Sequence, residues 1–328
     1  MKKIGTLLAL GTVAGAGICA ANNYLHKALI SRNFEVPEAV SKFISETGES
    51  DFDSVAQANM QWMLDYGFEL HHIVNDRGHK LQGYLMRPEK PSDVYVFGSH
   101  GYRSDGKGEW CHYAKHYVEE LGFNLFFVDH QAAGESEGEY IGFASHESKD
   151  SLKWLRYMVR AFGDDIQIIL HGISMGSATV MLMSGSDELV SNVKFTIADC
   201  GYTSALDEFN YKIETLKLPL KCLIPVVNSM NRKKAGYDFH KDTNALGAVA
   251  RAKVPMLFIH GGDDKFVPTY MVYLLHDACT AEYKDLLIVP GADHAQSYYT
   301  DKKAYEGKMD EFISKFISSK KEKYSVNT

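Results

Sequence analysis

Gln167-Ile168-Ile169-Leu170-His171-Gly172-Ile173-Ser174-Met175-Gly176-Ser177-Ala178-Thr179 joins an apolar β-branched run, begun at Ile166, to small residues that a helix accepts. Its centre, Gly172 to Gly176, fits the Gly-x-Ser-x-Gly pattern in which a serine sits on a sharp turn between a strand and a helix. Ser174 is the candidate nucleophile. The flanking glycines have a steric reason: the serine backbone is strained, and strand and helix pass too closely for Cβ atoms. The same pattern also arises by chance as a plain Gly/Ser turn. What separates the two readings is context, a strand-like run before it and a helix-like run after it.

Outward from this stretch, short apolar runs recur at Val94 to Phe97, Leu125 to Val128, Val193 to Ala198, Met256 to Ile259 and Leu286 to Val289. Between them lie stretches long enough for crossover helices, such as Gly108 to Leu121 and Ser148 to Phe162. This alternation predicts an α/β fold, a mostly parallel central sheet with helices on both faces. Catalytic groups in such sheets collect at the carboxyl ends of the strands. Ahead of the alternation, Leu70 to Val74, the turn Asn75-Asp76-Arg77-Gly78 and Leu81 to Met86 read as a β-hairpin. Ala56, Met60, Met63 and Leu64 recur at helical spacing and read as packing, with no function assigned. Near the end, Met309, Phe312, Ile313, Phe316 and Ile317 form the apolar stripe of a helix that closes one face.

Composition narrows the classes. The 328 residues are 45% hydrophobic and 23% charged, an ordinary globular chain. A formal net charge of -7 offers no basic face for nucleic acid, so that partner is excluded. Cys19, Cys111, Cys200, Cys222 and Cys279 are scattered, which speaks against a disulfide framework or a thiolate zinc site. The last four read as small buried hydrophobes. His112 and His116 stand at i, i+4, but no third ligand has suitable spacing, and they read as packing or solvent-facing side chains. No cofactor or metal is implied.

The first residues form a separate object. Met1-Lys2-Lys3 is basic, and Ile4 to Ala21 is uncharged and approaches the roughly 20 residues that span a bilayer. Ile18 ahead of Cys19 disfavours a lipoprotein, because lipidation signals carry a small residue there. A cleaved signal peptide, giving a secreted form, competes with an uncleaved signal anchor. The length of the run favours the anchor, and the charges at Lys2 and Lys3 then leave the body extracytoplasmic. The chain thus divides into a signal segment (residues 1–30), a helical extension (31–66), the main α/β domain (67–319) and a frayed tail (320–328). Within the main domain, Gly201 to Val254 exceeds what one crossover needs. Part of it, residues 205–241, reads either as a small helical cap over the site or as two ordinary surface helices.

Three strand ends carry groups that a serine requires. A serine hydroxyl attacks an acyl carbon only when an imidazole takes its proton and a carboxylate orients that imidazole. Asp263 and Asp264 follow the Met256 run, and His294 follows the Leu286 run. After the Val94 run, Gly101 permits close approach, so the backbone N–H of Tyr102 can pair with that of Met175 as an oxyanion hole. Asp129 and Asp199 end strands, where bonding to turn N–H groups is their expected task. His171 is expected to pack beneath the serine turn.

The segments HGYRSDG from His100, DHQAAGESEG from Asp129, HGISMGSAT from His171, DCGYTS from Asp199, HGGDDKFVP from His260 and GADHAQS from Gly291 follow one another in a familiar order. Together they make the chain resemble the α/β-hydrolase superfamily over roughly Leu70 to Phe316. More narrowly, it is similar to bacterial membrane-anchored or exported esterases, lysophospholipase-like and S9/S33-peptidase-like serine hydrolases. The resemblance implies an α/β-hydrolase fold with a Ser174, Asp264, His294 triad, choosing Asp264 over Asp263 by its spacing to Val267-Pro268. It also implies an Arg and a His where Gln131 and Ala133 stand, so a structural ion pair or hydrogen bond is expected to be lost. The expected activity is cleavage of carboxylic esters through an acyl-enzyme, on a small-molecule acyl substrate of lipid-like character. A serine peptidase acting on short peptides is the alternative within enzymes, and Tyr202 could serve either. A non-catalytic binding protein on a hydrolase scaffold is the alternative outside them. Oligomeric state is not legible.

Overall fold

The computed structural model describes residues 22–34, 52–215, 217 and 221–318. The hairpin is present, with β1 (Glu69–Val74) and β2 (Lys80–Met86) paired antiparallel. Its turn is held by Asn75, whose Oδ1 accepts from the amides of Arg77 at 3.1 Å and His79 at 2.9 Å. There follow β3 (Val94–Ser99), β4 (Asn124–Val128), β5 (Gln167–Ile173), β6 (Val193–Asp199), β7 (Met256–Gly261) and β8 (Lys284–Val289). The eight strands lie in the order β1-β2-β4-β3-β5-β6-β7-β8. β2 is antiparallel to both of its neighbours, and every pair from β4 to β8 is parallel.

Every residue of β3, β4, β5 and β7 is buried, as a sheet covered on both faces demands. The helices supply that cover. In chain order they are α1 (residues 22–30), α2 (Phe52–Tyr66), α3 (Gly106–Lys115), α4 (Ser145–Phe162), α5 (Met175–Ser184), α6 (Ala205–Thr215), α7 (Ile224–Lys234), α8 (Ala245–Val249), α9 (Tyr270–Ala278), α10 (Ser297–Thr300) and α11 (Lys302–Phe316). On one face Trp110 of α3, Met63 of α2 and Phe312 of α11 pack on Val96, Phe127, Ile169 and Leu257. On the other, Trp154 of α4, Met181 of α5 and Leu275 of α9 pack on Phe97, Phe126, Leu170 and Phe258. Successive strand residues divide between the two cores because the pleat turns them to opposite faces. The helix expected over Gly108 to Leu121 ends as α3 at Lys115 and continues as a wider π-helical turn, His116–Glu120.

Two expectations require correction. The membrane-anchored, extracytoplasmic placement is not sustained, since no helix among the described residues is long and apolar enough to cross a membrane. The run Ile4 to Ala21 on which it rested lies outside the described residues, as do residues 35–51 and the tail from 319. Residues 22–30, which follow that run, form a helix packed on the body, with His26, Ala28 and Ile30 buried. Cys222 is exposed rather than a buried hydrophobe, whereas Cys111, Cys200 and Cys279 are buried.

The Arg and His that the resemblance implied near Gln131 have a different replacement from the loss expected. Gln131 Oε1 accepts from Asn75 Nδ2 at 3.1 Å and Arg77 Nε at 2.6 Å, and lies 2.9 Å from His79 Nδ1. Arg77 also pairs with the buried Asp150. One amide oxygen thus ties the hairpin turn to the loop after β4.

Candidate active site

β5 runs to Ile173, and α5 begins at Met175, so a single residue turns the chain. That residue, Ser174, has φ 56° and ψ -114°, a conformation an L-residue adopts only under constraint. The constraint is visible: its N–H donates to Asp199 O at 2.9 Å and its carbonyl accepts from Ala178 N at 3.1 Å. A Cβ on Gly172 would collide with the Gly176 carbonyl, and one on Gly176 with the Ser99 carbonyl and, at 2.8 Å, the His100 oxygen. Backbone atoms cannot swing aside. Gly176→Ala is therefore expected to destabilise the fold by about 3 kcal/mol or more in urea denaturation. Gly307→Ala, in α11 with nothing within 4 Å of the added methyl, is expected to raise stability by about 0.5–1 kcal/mol.

The loops after β7 and β8 deliver Asp264 and His294 to the same point. His294 Nε2 lies 2.9 Å from Ser174 Oγ, and His294 Nδ1 lies 2.7 Å from Asp264 Oδ2. Asp264 is 4% exposed and its Oδ1 accepts from the amides of Phe266 and Val267, each at 2.9 Å. Its neighbour Asp263 is exposed and bonds through its amide to Ala292 O at 3.0 Å. Burial by itself would raise the Asp264 carboxyl, but the charge of His294 and hydrogen bonds from His260 and His294 hold it well below the usual carboxylate range. A carboxylate at Nδ1 selects the tautomer with hydrogen there. Nε2 is then left to accept the Ser174 hydroxyl proton. The Phe266 ring packs 4.8 Å from the imidazole and shields it.

The residues expected to supply oxyanion donors border the same serine. A Cβ built on Gly101 would stand 3.5 Å from Ser174 Cβ, which measures how closely the His100-Gly101-Tyr102 turn approaches. Among the described residues, neither the Tyr102 nor the Met175 amide donates to a protein acceptor. The Tyr102 side chain does something the sequence did not signal. Its hydroxyl donates to Leu29 O at 2.5 Å and its ring stacks on Phe143 at 5.0 Å. Arg103 Nη2 donates to Ala28 O at 2.8 Å, and Ile141 N to Ile30 O at 2.8 Å. Three donors thus satisfy carbonyls in the last turn of α1 that have no partner within the helix.

The cavity over Ser174 is bounded by that helix and by the long excursion between β6 and β7. Leu25 and Leu29 of α1 face Phe209 and Ile213 of α6, Val227 of α7, and Phe239 beyond it. No sequence signal identified α1 as part of this wall, because residues 22–30 group with the N-terminal signal segment.

His171 and the acids that end β4 and β6 are structural. His171 is fully buried beneath the serine turn, with Tyr117 Oη 2.7 Å from Nδ1 and Tyr305 Oη 3.0 Å from Nε2. Burial pushes its imidazole down to about 3, so it stays neutral. Asp129 does bond turn amides, those of Gly106 and Glu135, each at 2.7 Å. Asp199 departs from that expectation: its Oδ2 accepts from Tyr305 Oη at 3.0 Å, and burial pushes its carboxyl up to about 7. His116 gathers with Glu120 and Glu306, a grouping that sequence spacing did not reveal because Glu306 comes from α11. Lys302 lies 3.8 Å from Glu120 and 3.3 Å from Glu306. The pair of carboxylates therefore already has its counter-charge, and His112 packs edge-on against Tyr299 instead.

No protein-family profile matches the chain. It is 25% identical over 320 residues to the uncharacterized protein YqkD of Bacillus subtilis (strain 168), covering 97% of this chain and 99% of that protein. With the monoglyceride lipase of Mus musculus it shares 25% identity over 258 residues, 69% of this chain and 83% of the lipase. The structure of the Pyrococcus furiosus esterase Pf2001 superposes with a TM-score of 0.62 at 19% identity, covering 78% of this chain and 93% of the esterase. With the sheet order and the strained serine turn described above, these likenesses make the chain a member of the α/β-hydrolase superfamily.

Proposed function

We propose that the chain is a serine hydrolase that cleaves carboxylic esters through a covalent acyl-enzyme. The observation that carries this reading is the unbroken line from Ser174 Oγ through His294 to Asp264, at 2.9 and 2.7 Å, opening on a largely apolar cavity. Ser174 Oγ attacks the ester carbonyl while His294 Nε2 takes its proton, and Asp264 steadies the imidazolium that forms. The amides of Tyr102 and Met175 donate to the oxyanion. Collapse of the tetrahedral intermediate expels the alcohol, protonated by His294, and leaves the acyl group on Ser174. Water activated by the same imidazole then releases the acid and restores the hydroxyl. The apolar walls formed by α1, α6 and α7 favour an apolar acyl group and act as the cap over the site. The similarity to a lipase and an esterase lends this support.

A fluorophosphonate probe tests the reading directly. The wild type is expected to be labelled and Ser174→Ala to remain unlabelled. A wild type that resists labelling and turns over none of a graded series of p-nitrophenyl esters would return the chain to a binding protein on a hydrolase scaffold. Faster turnover of dipeptidyl nitroanilides than of the esters would make it a peptidase.

A further inference from the structure

Glu208 lies on α6, lines the cavity that holds Ser174, and is 6% exposed. Among the described residues, none hydrogen-bonds either of its carboxyl oxygens. Lys212, one turn on, holds its Nζ 3.9 Å from Glu208 Oε1, beyond hydrogen-bond length, and 3.5 Å from the centroid of the Phe266 ring. Phe266 in turn packs on His294, so the pair stands beside the reacting groups. Tyr202, in the loop after β6, lines the same cavity at 4% exposure, and its hydroxyl also has no hydrogen-bond partner among the described residues. Two buried polar side chains without hydrogen-bond partners among the described residues, in one apolar cavity, are costly to keep.

We propose that Glu208 and Tyr202 form a polar subsite that binds a hydroxyl group of the ester substrate, so that the cavity selects hydroxyl-bearing esters over purely hydrocarbon ones. This rests on the reading of Ser174 as an ester-cleaving nucleophile. The choice of a hydroxyl follows from the charges around it. An ammonium group would meet Lys212, and a carboxylate would meet Glu208. A hydrocarbon would bury both oxygens of Glu208 without compensation. A hydroxyl donates to Glu208 and accepts from the Tyr202 phenol, which satisfies both. Burial also holds the Glu208 carboxyl above the usual carboxylate range, with Lys212 opposing, as suits a group adapted to a neutral ligand. A site built to bond a hydroxyl rejects the analogue that lacks it far more strongly than an apolar pocket rejects a misfit in size.

The hydroxyl can reside on the alcohol or on the acyl chain, and two matched pairs separate these sources. Propyl octanoate is compared with propanediol monooctanoate, which differ only in the alcohol. The p-nitrophenyl ester of octanoic acid is compared with its β-hydroxy counterpart, which differ only in the acyl chain. In one pair the hydroxylated ester is expected to have the higher kcat/KM by about tenfold or more. Glu208→Leu and Tyr202→Phe are each expected to bring that ratio toward one, while Glu208→Gln, which still accepts a hydrogen bond, keeps part of it. Should Glu208→Leu fail to fold, Tyr202→Phe, which deletes one oxygen, carries the test. Equal rates within both pairs, or a preference that survives Glu208→Leu and Tyr202→Phe, would overturn the subsite. Turnover of all four esters undiminished in Ser174→Ala would instead overturn the nucleophile reading.

Discussion

Ser174→Ala is expected to lower kcat on p-nitrophenyl esters by about 10³–10⁶-fold while leaving KM within a few-fold. The size of the loss follows from what the side chain does. Its oxygen lies 2.9 Å from His294 Nε2, on a turn so closely packed that a Cβ on Gly172 or Gly176 would collide with backbone. Alanine removes the oxygen and little else, so the cavity, the imidazole and the oxyanion amides persist. Residual turnover would come from water activated by His294 against the same amide donors. Pre-steady-state kinetics with the p-nitrophenyl esters add a second readout: the wild type shows a burst of nitrophenolate where deacylation is slow, and the variant shows none. A variant that kept wild-type turnover would refute the acyl-enzyme mechanism in full.

The second large effect is at the acid. Asp264→Asn is expected to reduce kcat by up to about 10⁴-fold, with the fold intact by circular dichroism and thermal melting. The surroundings of Asp264 dictate this outcome. Oδ1 accepts two amide hydrogens, from Phe266 and Val267, so an asparagine must place its carbonyl oxygen there and turn its NH₂ toward His294 Nδ1. The imidazole then accepts at Nδ1 and carries its hydrogen on Nε2, where it cannot receive the proton of Ser174. Asp263→Asn changes an exposed side chain and is expected to stay within a few-fold of wild type. The reverse order of the two variants would move the orienting role to Asp263.

The ordering of the strands illustrates how far local pattern reaches. Apolar runs bounded by Gly, Asp and Asn at Val94, Leu125, Ile166, Val193 and Met256 mark buried strands because a strand covered on both faces has no polar alternation to obscure it, while the Leu286 run marks the half-buried edge strand β8. The serine turn is equally legible, since its steric requirement falls on Gly172 and Gly176, two residues on either side of Ser174, and leaves its imprint in five consecutive positions. Positions at strand ends follow from the same reading, which is why the Asp263-Asp264 pair and His294 stood out among the acids and histidines, while the choice of Asp264 within the pair came from the resemblance.

Distances between those ends are another matter. Residues 174, 264 and 294 meet because β5, β6, β7 and β8 lie side by side and in parallel, an arrangement that depends on pairing across the whole sheet. The walls of the cavity depend on it still more. Leu25 and Leu29 fall in the segment grouped with the N-terminal apolar run, and hydrogen bonds from Tyr102, Arg103 and Ile141 to the last carbonyls of α1 help hold them in the wall over Ser174. Glu208 and Lys212 look like an ordinary i, i+4 ion pair on a solvated helix face. Packing of Lys212 on the Phe266 ring and burial in the cavity that Tyr202 also lines turn that pair inward. By itself the sequence determined the fold class and the serine turn, whose requirements are local and periodic. Tertiary structure alone decided which distant side chains share the cavity and which polar groups are buried there without partners, because burial and hydrogen bonding are properties of the assembled packing and not of any segment.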